Sequence, residues 1–207
     1  MFPESLQSVF ADHTEFIVGQ QLPQLDGAEP LAYILLTGCV VLTNHNHDTA
    51  AVFWPGDLVI TPPEPAEGPT MGLKAIAQTT CLRGRQGELL SETARQIEVA
   101  TWIWQQNQRR ETELYRRLEL LTAEPVERRI LLTLADLADR ARGVAPSRPM
   151  PLAQNEIAEL AGATRETTST LLNRLKRQGM VDLGRRHVQV SAPDALRSLG
   201  KLTEAIV

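Results

Sequence analysis

The spacing of hydrophobic and polar positions changes along this chain, and the changes divide it into a strand-like front, a helical middle and a mixed end. From Glu15 to Arg85 short apolar runs are punctuated by Gly, Pro, Asn and Asp, the pattern of short strands joined by tight turns. Leu31 to Thr43 reads as strand, glycine, strand, Asn44 to Asp48 as a hairpin loop, and Ala50 to Trp54 as the next strand. Pro3 to Phe10 reads as a short leading helix. Thr61 to Pro69 holds four prolines, which excludes a central strand or a helix and predicts an exposed loop.

From about Gln86 helix formers take over, and the pattern predicts one long helix to about Thr122. Leu90, Ile97, Trp104 and Leu118, with Ala100, Leu114 and Leu121, fit a seven-residue seam in which Asn107 and Glu111 are polar interruptions. Such a seam predicts pairing with a second copy of the helix. Trp102 lies off it and is expected to contact the strands. Glu124-Pro125 opens a further helix, Val126 to Arg142, through Ile130, Leu131, Leu134, Leu137 and Ala138. The joint near Ala123 is the expected hinge, and Gly143 to Pro151 is expected to be a flexible connector.

The most informative stretch is Gln154 to Arg177. Asn155 to Ala161 and Thr164 to Gln178 read as two helices about the short turn Gly162-Ala163. Thr164 suits the N-cap, Glu166 complements the positive helix end, and Gly179 suits a left-handed C-cap. In the second helix Thr168, Leu171, Leu172 and Leu175 form an apolar stripe, and Glu166, Thr170, Asn173 and Arg177 lie opposite, flanked by Arg165 and Ser169. Met180 to Leu183 and Arg186 to Val190 then read as strands around Gly184-Arg185, a wing carrying Arg185, Arg186 and His187. Together these elements predict a winged DNA-binding module. Pro193 to Ile206 suggests a closing helix through Leu196, Leu199 and Leu202.

The run EIAELAGATRETTSTLLNRLKRQGMV resembles the DNA-binding signature of the Crp-Fnr transcription regulators, a family of dimeric bacterial sensors. Upstream, LAYILLTGCVVLT followed by Trp54-Pro55-Gly56-Asp57 resembles that family's N-terminal β-roll. The resemblance implies an α+β chain of an antiparallel, cyclic-nucleotide-binding-like β-roll (1–86), a long dimerisation helix (87–122) and a winged helix-turn-helix domain (123–207). It implies a homodimer that binds a roughly palindromic site on double-stranded DNA and regulates transcription in the cytoplasm, with RNA polymerase as a further expected partner. Relatives that bind cyclic nucleotides carry a Gly-Glu pair and an Arg-Ser or Arg-Thr pair after the roll's turn. Here Ile60-Thr61 and Met71-Gly72 fall at those places, so control by cyclic AMP is not expected. An effector would be expected near Leu114 and Tyr115, which replace hydroxyl residues that contact nucleotide in some relatives.

Composition sharpens this picture. The overall charge is -4, but residues 1–88 carry a net -7, residues 89–144 none and residues 145–207 a net +3. Phosphate attraction follows the local field, so the front half is expected to face away from DNA. No run of about eighteen apolar residues occurs and the start is not that of a secretory signal, which predicts a cytoplasmic protein with no membrane partner. Two cysteines, Cys39 and Cys81, are too few for a disulfide framework or an iron-sulfur cluster, and both read as inert buried residues. No cofactor is expected.

In a major groove Arg pairs with guanine and a carboxylate accepts from cytosine, so Arg165 and Glu166 are the expected base readers, with Ser169 and Thr170 one turn further in. The resemblance gives Arg165 and Glu166 the same role, whereas Thr170 stands where many relatives have a second base-reading Arg. Gln154, Thr164, Thr168, Arg174, Lys176, Arg185 and Arg186 are candidates for phosphate contacts. Thr168 is also claimed by the apolar stripe. Two other classes of function compete with this reading. A winged-helix adaptor would bind protein rather than DNA. A cupin-like metal enzyme would use His45 and His47, but Ala51 and Val52 stand where its Glu is needed and no histidine falls between His47 and His187.

Overall fold

The computed structural model describes residues 2–61, 71–144 and 148–202. They fall into two compact units, Met1–Leu114 and Tyr115–Val207. Among the described residues the first unit has a short 3-10 turn (Glu4–Gln7) and eight strands: β1 (Asp12–Phe16), β2 (Leu25–Asp26), β3 (Glu29–Thr37), β4 (Val40–Thr43), β5 (Thr49–Phe53), β6 (Leu58–Ile60), β7 (Gly72–Ala75) and β8 (Thr79–Arg85). One antiparallel sheet has the order β1-β8-β3-β2 with β6 also on β3, and a second has the order β5-β4-β7. This is the expected roll.

Strand β3 is apolar on successive positions because both of its faces are covered. Leu31, Tyr33 and Leu35 enter the roll interior with Phe16, Val40, Phe53, Leu73 and Cys81. Ala32 and Ile34 turn to the other side, where Phe10, Leu58, Leu82, Leu89, Val99 and Trp102 form a second core. Gly38 joins β3 to β4 at φ +85°, and a Cβ there would lie 2.4 Å from the Gln78 carbonyl oxygen. Only glycine fits that turn. Both cysteines are buried and free, and burial pushes the Cys81 thiol up to about 12. His45 and His47 lie exposed in the β4–β5 loop, and among the described residues no group of three or more His, Cys, Asp or Glu is placed to hold a metal ion.

The first residue of the expected exposed loop is not exposed. Thr61 is buried, its hydroxyl donating to the Leu31 carbonyl at 2.6 Å, while the Gln86 side-chain amide donates to the Thr61 and Leu31 carbonyls at 2.9 Å each. Pro62 to Pro69 lie outside the described residues.

The single long helix is in fact two, α1 (Gln86–Arg95) and α2 (Ile97–Ala123). Gln96 between them is extended, at φ -131° and ψ 114°. No Gly or Pro marks the break. It arises because α1 leaves β8 with Leu89 on the core, and α2 must then present Val99 and Trp102 to that same core. Leu90 therefore belongs to a separate helix and cannot continue the heptad seam of α2. Trp102 contacts the strands' core as expected. Further along, the Arg110 guanidinium lies 3.7 Å over the Phe53 ring, donates to the Val52 carbonyl at 3.2 Å and pairs with Asp57 at 3.4 Å. Asp57 also accepts from the Trp54 amide at 2.8 Å and so closes the Trp54-Pro55-Gly56-Asp57 turn.

The boundary between the units falls inside α2. The second unit holds the end of that helix, α3 (Val126–Val144), α4 (Gln154–Leu160), α5 (Arg165–Arg177), β9 (Val181–Gly184), β10 (His187–Val190) and α6 (Pro193–Leu202). Ile130, Leu131, Leu134, Leu137 and Ala138 are buried on α3, and Leu196 of α6 is fully buried. Asp136 of α3 joins Arg116 of α2 at 3.0 Å to Arg197 of α6 at 3.1 Å. The Gly143 to Pro151 segment is not wholly a free connector. Helix α3 runs through Gly143 and Val144, and Met150 is buried and pairs with Val188, giving and receiving backbone bonds of 2.8 and 3.0 Å. Residues 145–147 and 203–207 of the expected connector and closing helix lie outside the described residues. Among the described residues no helix is long and apolar enough to cross a membrane.

Candidate nucleic-acid interface

Helix α5 is fixed at both ends and along one side. Thr164 is its N-cap, with Oγ1 accepting from the Thr167 amide at 3.2 Å. At the other end Gly179 has φ +72°, its amide donates to the Lys176 carbonyl at 3.0 Å, and the Met180 amide donates to the Leu175 carbonyl at 3.0 Å. These two bonds are the Schellman pattern. Leu171, Leu172 and Leu175 are buried along the stripe, each the kind of side chain whose truncation costs about 2–5 kcal/mol. Helix α4 crosses beneath it through Gly162 at φ +58°. At the start of α4 the Glu156 carboxylate accepts from the Ala153 amide at 2.6 Å, although Ala153 has no side-chain oxygen to return the bond.

This frame leaves one face of α5 in solvent. Arg165, Glu166, Thr170, Asn173 and Arg177 are exposed, and Ser169 is half-buried with its carbonyl accepting from the Asn173 side-chain Nδ2 at 2.9 Å. Arg165 and Glu166 occupy the first turn, so they and Thr170 stand where a groove-reading helix presents its side chains. Thr168 does not share that face. It is fully buried and its hydroxyl has no hydrogen-bond partner among the described residues, so the expected phosphate contact is withdrawn and the apolar-stripe assignment stands.

The wing differs from expectation by one position. Gly184 pairs with His187, so the exposed turn is Arg185-Arg186 rather than Gly184-Arg185. A Cβ on Gly184 would lie 2.0 Å from the exposed His187 ring, so a side chain there would require that ring to turn away. His187 is thus a strand residue whose ring covers a glycine.

The cations divide into two groups. Arg174 pairs with Glu127, Lys176 pairs with Asp182 at 3.1 Å, and Arg186 pairs with Glu156 at 3.5 Å. Lys176 holds the Asp182 carboxyl below its usual range. Arg165, Arg177 and Arg185 are exposed and have no ion pair among the described residues. They are the cations free to take a phosphate or base without first giving up a carboxylate. Arg177 was absent from the expected contacts. Its helical spacing from Glu166, Thr170 and Asn173 was the signal that could have placed it there. Gln154, in the first turn of α4, is half-buried, and Thr164 is exposed.

Of the expected seam, Ile97, Trp104, Asn107, Leu114 and Leu118 are exposed on α2 and Ala100 is half-buried. Leu121 departs from it: a Cβ on Gly162 would come within 2.5 Å of the Leu121 side chain, so this leucine leans on the turn between α4 and α5. Leu114 and Tyr115, expected beside an effector, are 58% and 63% exposed and so are not enclosed.

Residues 128–199 match the family model of the Crp-like helix-turn-helix domain. Among solved structures, FixK2 from Bradyrhizobium japonicum is 22% identical, with 91% of this chain and 96% of that chain covered at a TM-score of 0.72. A mutant of CooA from Carboxydothermus hydrogenoformans is 17% identical, with 95% and 90% covered at 0.70. A transcriptional regulator of the CRP family from Thermus thermophilus, TTHB099, is 19% identical, with 91% and 96% covered at 0.68. No curated protein matches the chain in sequence. At these identities the solved structures establish the fold alone, over 91–95% of the chain.

Proposed function

We propose that this chain, which carries a Crp-like helix-turn-helix domain and has the fold of the Crp/Fnr regulators throughout, is a homodimeric, sequence-specific regulator of transcription. The observation that carries the reading is the solvent face of α5. Arg165, Glu166 and Thr170 project from a helix whose cap, stripe and C-terminal glycine hold it rigidly, beside a wing with a free arginine. An adaptor could use the same shape, but apolar side chains would then be expected on that face. Every residue there can hydrogen-bond or carries charge. Pairing of α2 through Ile97, Trp104, Leu114 and Leu118 would place two recognition helices on successive major grooves about 34 Å apart, and the preferred site would be an imperfect palindrome. Cyclic AMP is not part of this reading, because neither Ile60-Thr61 nor Met71-Gly72 supplies a cation to a phosphate.

Selection of bound sequences from random duplexes tests the proposal. Wild type is expected to enrich a two-fold-related motif, and Arg165→Ala to relax it at one position in each half-site by about 1–3 kcal/mol of discrimination. Equal enrichment by both proteins would remove Arg165 from the readout, and the absence of any motif would favour the adaptor.

A further inference from the structure

The carbonyl end of α4 is held by two arginines that come from opposite sides of the joint between α2 and α3. Arg117, on the last part of α2, donates through Nη2 to the Glu159 carbonyl at 3.2 Å. Arg129, on the first turn of α3, donates through Nε to the Ala161 carbonyl at 3.0 Å and through Nη2 to the Gly162 carbonyl at 2.7 Å. Its remaining nitrogen donates to the carbonyl of Glu124, inside the joint itself, at 3.1 Å. Leu121 adds the apolar contact against Gly162.

These groups suit one another chemically. The last carbonyls of a helix carry partial negative charge and lack partners within the helix, and a guanidinium presents several donors in a fixed fork. Arg129 is thus tied to three carbonyls on two segments. Arg117 sits in a largely desolvated position, and burial lowers its pKa from the usual value, so holding its charge there needs the acceptors around it. None of this is required to fold α5, whose cap and stripe are made elsewhere.

We propose that Arg117 and Arg129 are positioning residues for DNA readout: by clamping the end of α4 to both sides of the Glu124–Pro125 joint, they fix the recognition helix against the helix through which the dimer pairs. The inference rests on the regulator reading above. Base preference within a half-site belongs to α5 alone, whereas the distance between half-sites depends on how α5 is held relative to α2. Cutting the clamp separates the two properties.

The experiment is selection of bound duplexes by the full-length dimer from a library in which the spacing between two half-sites varies by single base pairs, with wild type, Arg117→Gln and Arg117→Lys compared at fixed salt. Wild type is expected to prefer one spacing. Arg117→Gln is expected to lose about tenfold of that preference over the adjacent spacings while keeping the same bases within each half-site. Arg117→Lys, which keeps one charged donor, should recover part of it. An unchanged spacing preference in Arg117→Gln with wild type enriching a palindrome overturns the clamp alone, as does a parallel loss of base preference, which would show general loosening. Enrichment of no motif by wild type overturns the regulator reading and the clamp with it.

Discussion

Thr168 shows how a single position can be claimed by two roles. Its place on α5, among hydroxyl and charged residues, makes it a candidate for phosphate, while its spacing from Leu171, Leu172 and Leu175 puts it on the core side. The fold resolves the conflict by burying it completely, with an unsatisfied hydroxyl. An apolar group of the same shape should therefore be accepted. Thr168→Val is expected to leave DNA affinity within about twofold and to hold or raise unfolding free energy by up to about 1 kcal/mol, read by urea denaturation. A tenfold loss of affinity at unchanged stability would restore the phosphate role. Gly162 and Gly184 make the complementary point, since both were legible as turn residues but only the fold shows the φ of +58° at Gly162 and the packing of the Leu121 and His187 side chains against the two glycines.

At the scale of elements, α2 is a helix with two different faces. Val99, Trp102, Gln106 and Arg110 pack against the roll or sit buried, whereas Ile97, Trp104, Leu114 and Leu118 stay in solvent. Large apolar side chains repeated on one exposed helical row call for a partner surface, and on the proposed reading their seven-residue spacing suits the same helix in a second copy. Replacing the central anchor with a charge should break that pairing. Trp104→Asp is expected to shift the protein from dimer to monomer in sedimentation equilibrium and to weaken operator binding by at least about 100-fold through lost bivalency. A Trp104→Asp protein that remains dimeric would move the interface off this row. The heptad spacing within α2 was visible in the sequence, but the break at Gln96 was not. Arg95 and Gln96 are good helix formers, and the break comes from the competing demands of Leu89 and Val99 on one core.

The whole molecule separates its charge. A net of -7 on residues 1–88 and +3 on residues 145–207 gives the chain opposite charge at its two ends of sequence, so the proposed reading assigns DNA attraction to the second unit. Within that unit only some cations are uncommitted. Arg177→Ala and Arg185→Ala should each lower the slope of log affinity against log salt by about 2 per dimer, with base preferences unchanged. A slope that is flat for wild type would instead favour protein recognition. Patterning along the sequence was enough to specify short strands in the front half, the helix-turn-helix, the exposed face of α5 and, to within one position, the wing, because strand and helix periods, caps and turn residues are local properties of neighbouring positions; the roll itself came from the family resemblance. Tertiary structure alone decided where the long helix breaks, that Met150 joins the wing and that Leu121, Arg117 and Arg129 grip the α4–α5 turn. Each of these depends on which surfaces meet after distant segments pack, and no period or spacing along the chain encodes that meeting.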